Sequence, residues 1–168
     1  MTTLVLTLVG SDRSGIVASV AEVVAAHGGN WENSELAELA GAFAGIVEVA
    51  VPAERADALR EALAALDGLH TVAVPAAEGR PPREGRHLEL HVLGNDHPGI
   101  VRELSSALSS QGLSIERMAT ETRDAAMAGG RLFEASVVAV APADVDVSAV
   151  AAVIERLAAE IQVDVSVS

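Results

Sequence analysis

The chain has no cysteine, no lysine and no tyrosine, and its 168 residues include only two Phe and one Trp. Without a thiol, disulfides, Cys-ligated zinc, iron–sulfur clusters and a cysteine nucleophile are excluded. Without lysine, Schiff-base chemistry and the phosphate-binding lysine of a P-loop go as well. Positive charge is scarce: 11 Arg stand against 24 acidic residues, for a formal charge of −13. Such a chain repels phosphate backbones, and three aromatics give no platform for stacking bases, so direct nucleic-acid binding is not expected. Long apolar runs are missing too. Each is broken by Ser, Glu, Asp or Arg before about 18 residues, so no membrane span is expected. The apolar start Met1 to Val9 lacks a basic n-region and breaks at Gly10-Ser11-Asp12, which is not a secretory signal. The expectation is a cytoplasmic protein without a cofactor.

What the chain does have is itself, twice. Residues 10–17 read GSDRSGIV and residues 94–101 read GNDHPGIV. Gly10/Gly94, Asp12/Asp96, Gly15/Gly99, Ile16/Ile100 and Val17/Val101 are identical at this spacing. Leu4/Leu88, Leu6/Leu90, Gly28/Gly112 and Glu32/Glu116 keep the same offset, whereas Phe43/Phe133 and Pro52/Pro142 are six residues further apart. Between the copies, residues 76–86 (AAEGRPPREGR) carry no apolar periodicity and read as a linker. The expected domains are therefore 1–75 and 87–168, each with a formal charge of −7.

Both copies show the same order of patterns. Leu4, Leu6, Leu8 and Leu88, Leu90, Val92 alternate with more polar neighbours, as half-buried strands do. Ile16, Val20, Val23, Val24 and Ile100, Leu104, Ala107, Leu108 form helical stripes that end at Gly28 and Gly112. Two hairpins follow, over 30–39 with 42–51 and over 113–123 with 131–141, the second joined around Gly129-Gly130. Leu59, Leu63, Leu66 and Val150, Ile154, Leu157 mark a second helix, and the last strands are 69–75 and 161–167. The order β-α-β-β-α-β predicts an α+β, ferredoxin-like antiparallel sheet with both helices on one face, formed twice. Phe43 and Phe133 are expected in the cores.

Chemistry must then come from a site, because this fold hosts many functions. The matched loops run from a strand into a helix. Asp12 and Asp96 precede the helix, where Asp serves as an N-cap and Pro98 suits a first turn. A second reading is open at the same residues. Gly15 and Gly99 are unfavourable inside a helix and make sense if backbone must approach a ligand closely. A helix N-terminus attracts a carboxylate and an adjacent Asp an ammonium, so one loop could hold both ends of an amino acid.

The run Asp96-His97-Pro98-Gly99-Ile100-Val101 after a first strand, in a βαββαβ frame, resembles the ACT domain. The first copy, Asp12-Arg13-Ser14-Gly15-Ile16-Val17, has Ser14 in place of Pro. A tandem pair of this length is similar to the glycine cleavage system transcriptional repressor family. That resemblance implies a non-enzymatic, amino-acid-responsive regulator, with glycine a candidate ligand, that acts through a protein partner and forms a homo-oligomer. It further implies ligand held by the first loop and the start of the second strand at a domain interface. Carried over by position, the residues are Asp12, Gly15, Ile16 and Asn30, and Asp96, Gly99, Ile100 and Ser114. Detached regulatory subunits of biosynthetic enzymes such as acetolactate synthase also resemble paired ACT modules, and the partner's identity separates the two readings.

The histidines do not form a metal set. His87 and His91 share a strand face with Glu89, yet four residues along a strand span about 13 Å. His27 falls near a helix C-terminus and His97 in the second loop. Ser11, Ser14, Asp96 and His97 lack the nucleophile elbow of a hydrolase.

Overall fold

The computed structural model describes residues 1–77, 85–124, 130–143, 146–160 and 163–167. The chain divides into two compact units, Met1–Arg80 and Pro81–Ser168. In the first, β1 (Thr2–Ser11) leads to α1 (Ile16–Ala26), β2 (Asn30–Leu39), β3 (Ala42–Val51), α2 (Ala56–Ala64) and β4 (Leu69–Pro75). A 3-10 turn, Ala53–Arg55, enters α2 directly after Pro52. In the second unit, β5 (Gly85–Asn95), α3 (Ile100–Ser110), β6 (Ser114–Asp124), β7 (Arg131–Pro142), α4 (Val147–Glu160) and β8 (Val163–Val167) repeat the order. The sheets run β2-β3-β1-β4 and β6-β7-β5-β8, with every neighbouring pair antiparallel. This is the expected split βαβ arrangement, twice.

Alternation along the central strands decides which face is covered. Leu4, Leu6 and Leu8 of β1 and Val47, Val49 and Val51 of β3 pack with Ile16, Val20 and Val24 of α1 and with Leu59 and Leu63 of α2. Leu88, Leu90 and Val92 meet Ile100, Leu104, Leu108, Val150 and Ile154 in the same way. Phe43 and Phe133 are buried in their respective cores. No polar or charged side chain is buried among the described residues, so the cores rest on apolar area alone. Four expectations fall wholly or partly on residues outside the described ones: most of the linker, the Gly129 end of the second hairpin, the side chain of Leu157 and residues 161–162 of the last strand. Gly85 and Arg86, expected in the linker, are the first residues of β5.

The hairpin between β2 and β3 turns on Ala40 and Gly41, whose φ angles are 52° and 83°. Two-residue hairpin loops need positive φ at both positions because only that twist matches the strands they join. Glycine adopts it freely, but alanine there brings Cβ close to the following carbonyl, at a cost of about 1–2 kcal/mol. Replacing Ala40 with Asn, to give the Asn-Gly turn pair, is expected to raise unfolding stability by about 0.5–1 kcal/mol. A urea titration followed by Trp31 fluorescence measures this, Trp31 being packed against the first core.

Candidate functional site

The two loops that join β1 to α1 and β5 to α3 are built alike. Each helix is capped by the repeated glycine itself: Gly15 has φ 87° and Gly99 has φ 96°. That left-handed conformation, rather than a crowded approach, is what requires glycine here. A Cβ on Gly15 would meet nothing within 4 Å, and one on Gly99 would meet only the side chains of Arg102 and Glu103 at 3.7 Å.

The capping role expected for Asp12 and Asp96 does not occur. Neither helix has a side-chain cap hydrogen bond, because each Asp lies three residues before the capping glycine and its main chain is used elsewhere. Asp12 N–H donates to Gly41 O and Asp96 N–H to Arg131 O, both at 2.8 Å, which ties each loop to the far end of its hairpin. Pro98 correspondingly precedes the capping glycine instead of opening the first turn. A side-chain cap does exist at α4, where Asp146 Oδ1 accepts from Ser148 N–H at 2.9 Å.

Both loops therefore present a carboxylate beside a helix N-terminus that no side chain closes. Asp12 is exposed and Asp96 half-buried. Ile16 and Ile100 are buried in the cores, so they can offer a ligand only their main chain. The loops differ in their bracing. Arg13 donates from Nη2 to Asp67 O at 2.9 Å, while a Cβ on Gly10 would come within 2.3 Å of Gly68 O, so the first loop leans on the turn before β4. At the matching position of the second loop, His97 Nε2 lies 3.8 Å from Glu103 Oε2 of α3. Sequence reasoning missed the Arg13 brace. Its one signal was that Arg13 and His97 occupy the same place in the repeat.

Asn30 and Ser114 are not brought to the loops. Across β3, Thr3 aligns with Ala50 and Asn30, whereas Ser11 aligns with Ala42. Asn30 thus sits level with the start of β1 and Asp12 beyond its end, nine residues or about 30 Å away along the strand. Ser114 is likewise level with His87, through Val140. Asn30 Nδ2 donates to Glu32 Oε1 at 2.6 Å.

The histidines take ordinary partners. His27 Nδ1–H donates to Val23 O at 2.8 Å at the end of α1. His87 Nε2 lies 3.2 Å from Glu116 Oε2, and His91 Nδ1 lies 3.2 Å from Ser136 Oγ. Among the described residues, no group of three or more His, Asp or Glu could hold a metal ion, and no helix is long and apolar enough to cross a membrane.

The sequence profile of the ACT domain matches residues 2–74. Residues 2–74 belong to the ACT-domain family. The second unit repeats the same element order and strand pairing. The crystal structure of an unknown protein from Galdieria sulphuraria is similar along the whole length, with 31% identity, a TM-score of 0.85, and 99% of this chain and 97% of that one covered. A solved structure of a protein proposed to be a glycine cleavage system transcriptional repressor is 18% identical, with a TM-score of 0.72 over 99% of this chain and 96% of that one. At that identity the second likeness is one of fold. No curated protein matches the chain.

Proposed function

We propose that this protein is a non-catalytic sensor of a free amino acid, such as glycine, that regulates a protein partner. The observation that carries the reading is the repeated loop: a carboxylate three residues ahead of a left-handed glycine, beside a helix N-terminus left without a side-chain cap, in both domains. An Asp carboxylate attracts an ammonium, and first-turn N–H groups with the helix dipole attract a carboxylate. A zwitterion presents both. The two units serve as the two responsive domains, joined between Pro75 and Gly85. Asp12, Gly15 and Ile16, with Asp96, Gly99 and Ile100, form the loop halves of the sites. Asn30 and Ser114, at the opposite sheet ends, would contribute to a ligand only from another copy of the domain. The fold resembles that of a protein proposed to be a glycine cleavage system transcriptional repressor, and the charge of −13 favours action on a protein over direct contact with DNA.

Calorimetric titration with each of the twenty amino acids tests the proposal. Saturable binding by glycine or another small amino acid is expected, abolished when either its ammonium or its carboxylate is blocked. Absence of heat with all twenty would sink it, and so would binding that survives blocking of both ends.

A further inference from the structure

The helix-free faces of the two domains differ far more than their cores do. On the first, the strand register places Val5, Thr7 and Val9 of β1 beside Ile46 of β3 and beside Val72 and Val74 of β4. Ile46 is 51% exposed, Val72 61% and Val74 48%. At matching places on the second face stand Glu89 for Val5, His91 for Thr7 and Ser136 for Ile46, beside Leu93 for Val9 and Val138 for Glu48, with Arg117 and Glu121 on the adjoining β6. A sheet face that meets water has no use for a row of β-branched apolar side chains such as Ile46, Val72 and Val74.

We infer that the helix-free face of the first domain is the contact between two copies of this chain, packed sheet on sheet about a two-fold axis. Area supports it: four strands of up to ten residues present about 34 by 19 Å, so two faces bury roughly 1,300 Å², within the range of stable interfaces. Shape supports it as well. A hollow of about 400 Å³ lies on this face, lined by Val5, Asn33, Glu35, Ile46 and Glu48, and Val72 and Val74 stand out on the edge strand β4. In a two-fold contact, ridge and hollow are each used twice. Two carboxylates face the β2 side of the hollow: Glu35 lies on that edge strand, and Glu48, opposite Val5 on the inner strand β3, turns toward it by accepting from Asn33 Nδ2 at 2.8 Å. This contact does not depend on the amino-acid reading.

Light scattering on the whole chain gives the test. The wild type is expected at twice 17.2 kDa at about 50 µM, well above the dissociation constants usual for interfaces of this size. Ile46→Arg should run as a folded monomer, its dissociation constant raised at least about 100-fold, as when a charge is forced into an interface centre. Ser136→Arg, at the matching place on the second face, should remain a dimer. If Ile46→Arg does not fold, Thr7→Cys decides, because the chain has no other thiol: a short bismaleimide should link two copies covalently. A wild type that stays at 17.2 kDa leaves the face to a partner of another sequence and overturns the inference. A dimer untouched by Ile46→Arg, or a Thr7→Cys chain that does not cross-link, overturns it as well.

Discussion

Replacing Leu6 with alanine is expected to lower the stability of the first domain by about 3 kcal/mol, within the 2–5 kcal/mol range of buried Leu→Ala changes. Leu6 is 0% exposed at the middle of the central strand β1, with the side chains of both helices closing over it. The loss has two parts, the transfer energy of the removed carbons and the cavity left when rigid neighbours do not close in. Trp31, the one Trp in the chain, packs against this core, so its fluorescence in a urea titration should show an earlier midpoint with little change in slope. Leu90 is the counterpart, also 0% exposed. Its replacement should cost the same in the second domain, followed there by circular dichroism because no Trp or Tyr is present. A loss below about 1 kcal/mol at either position would mean that the core repacks freely, against the close packing expected of such interiors.

Much of this fold could be read before any coordinates, because its signals are periodic and occur twice. Leu4, Leu6 and Leu8 announce a half-buried strand by themselves; finding Leu88, Leu90 and Val92 at the same offset removes the chance of coincidence. The first hairpin is observed over Asn30–Leu39 and Ala42–Val51, as expected. Capping is where local reasoning failed. Asp ahead of a helix is a common cap, and residue type alone does not tell a cap from an Asp three residues further out. The left-handed angle of Gly15, which moves the cap, is a property of the folded loop. The distance between Asp12 and Asn30 was equally hidden, since it depends on strand register across β3. Both could be singled out from the sequence, but only the sheet shows that one domain holds them at opposite ends.

Asp96→Ala is expected to weaken amino-acid binding by about 10- to 100-fold, the worth of one charge-assisted hydrogen bond of roughly 1.5–3 kcal/mol. Stability should change by less than about 0.5 kcal/mol, since Asp96 caps nothing with its side chain. Asp146 provides the contrast. Its carboxylate does cap α4, so Asp146→Ala should cost about 1 kcal/mol in stability and leave affinity intact. Asp96→Ser keeps a polar oxygen and loses the charge. Retained affinity in that variant would reject the ammonium-binding role, whereas a loss equal to that of Asp96→Ala assigns the effect to charge. Asp12→Ala should act in the same direction but less, for a physical reason visible in the two loops. Asp12 is exposed and Asp96 half-buried, so water and salt screen the first carboxylate more than the second. Raising the salt concentration should therefore erode binding at the first loop before the second, and the reverse order would show that Asp12 faces the better-shielded site.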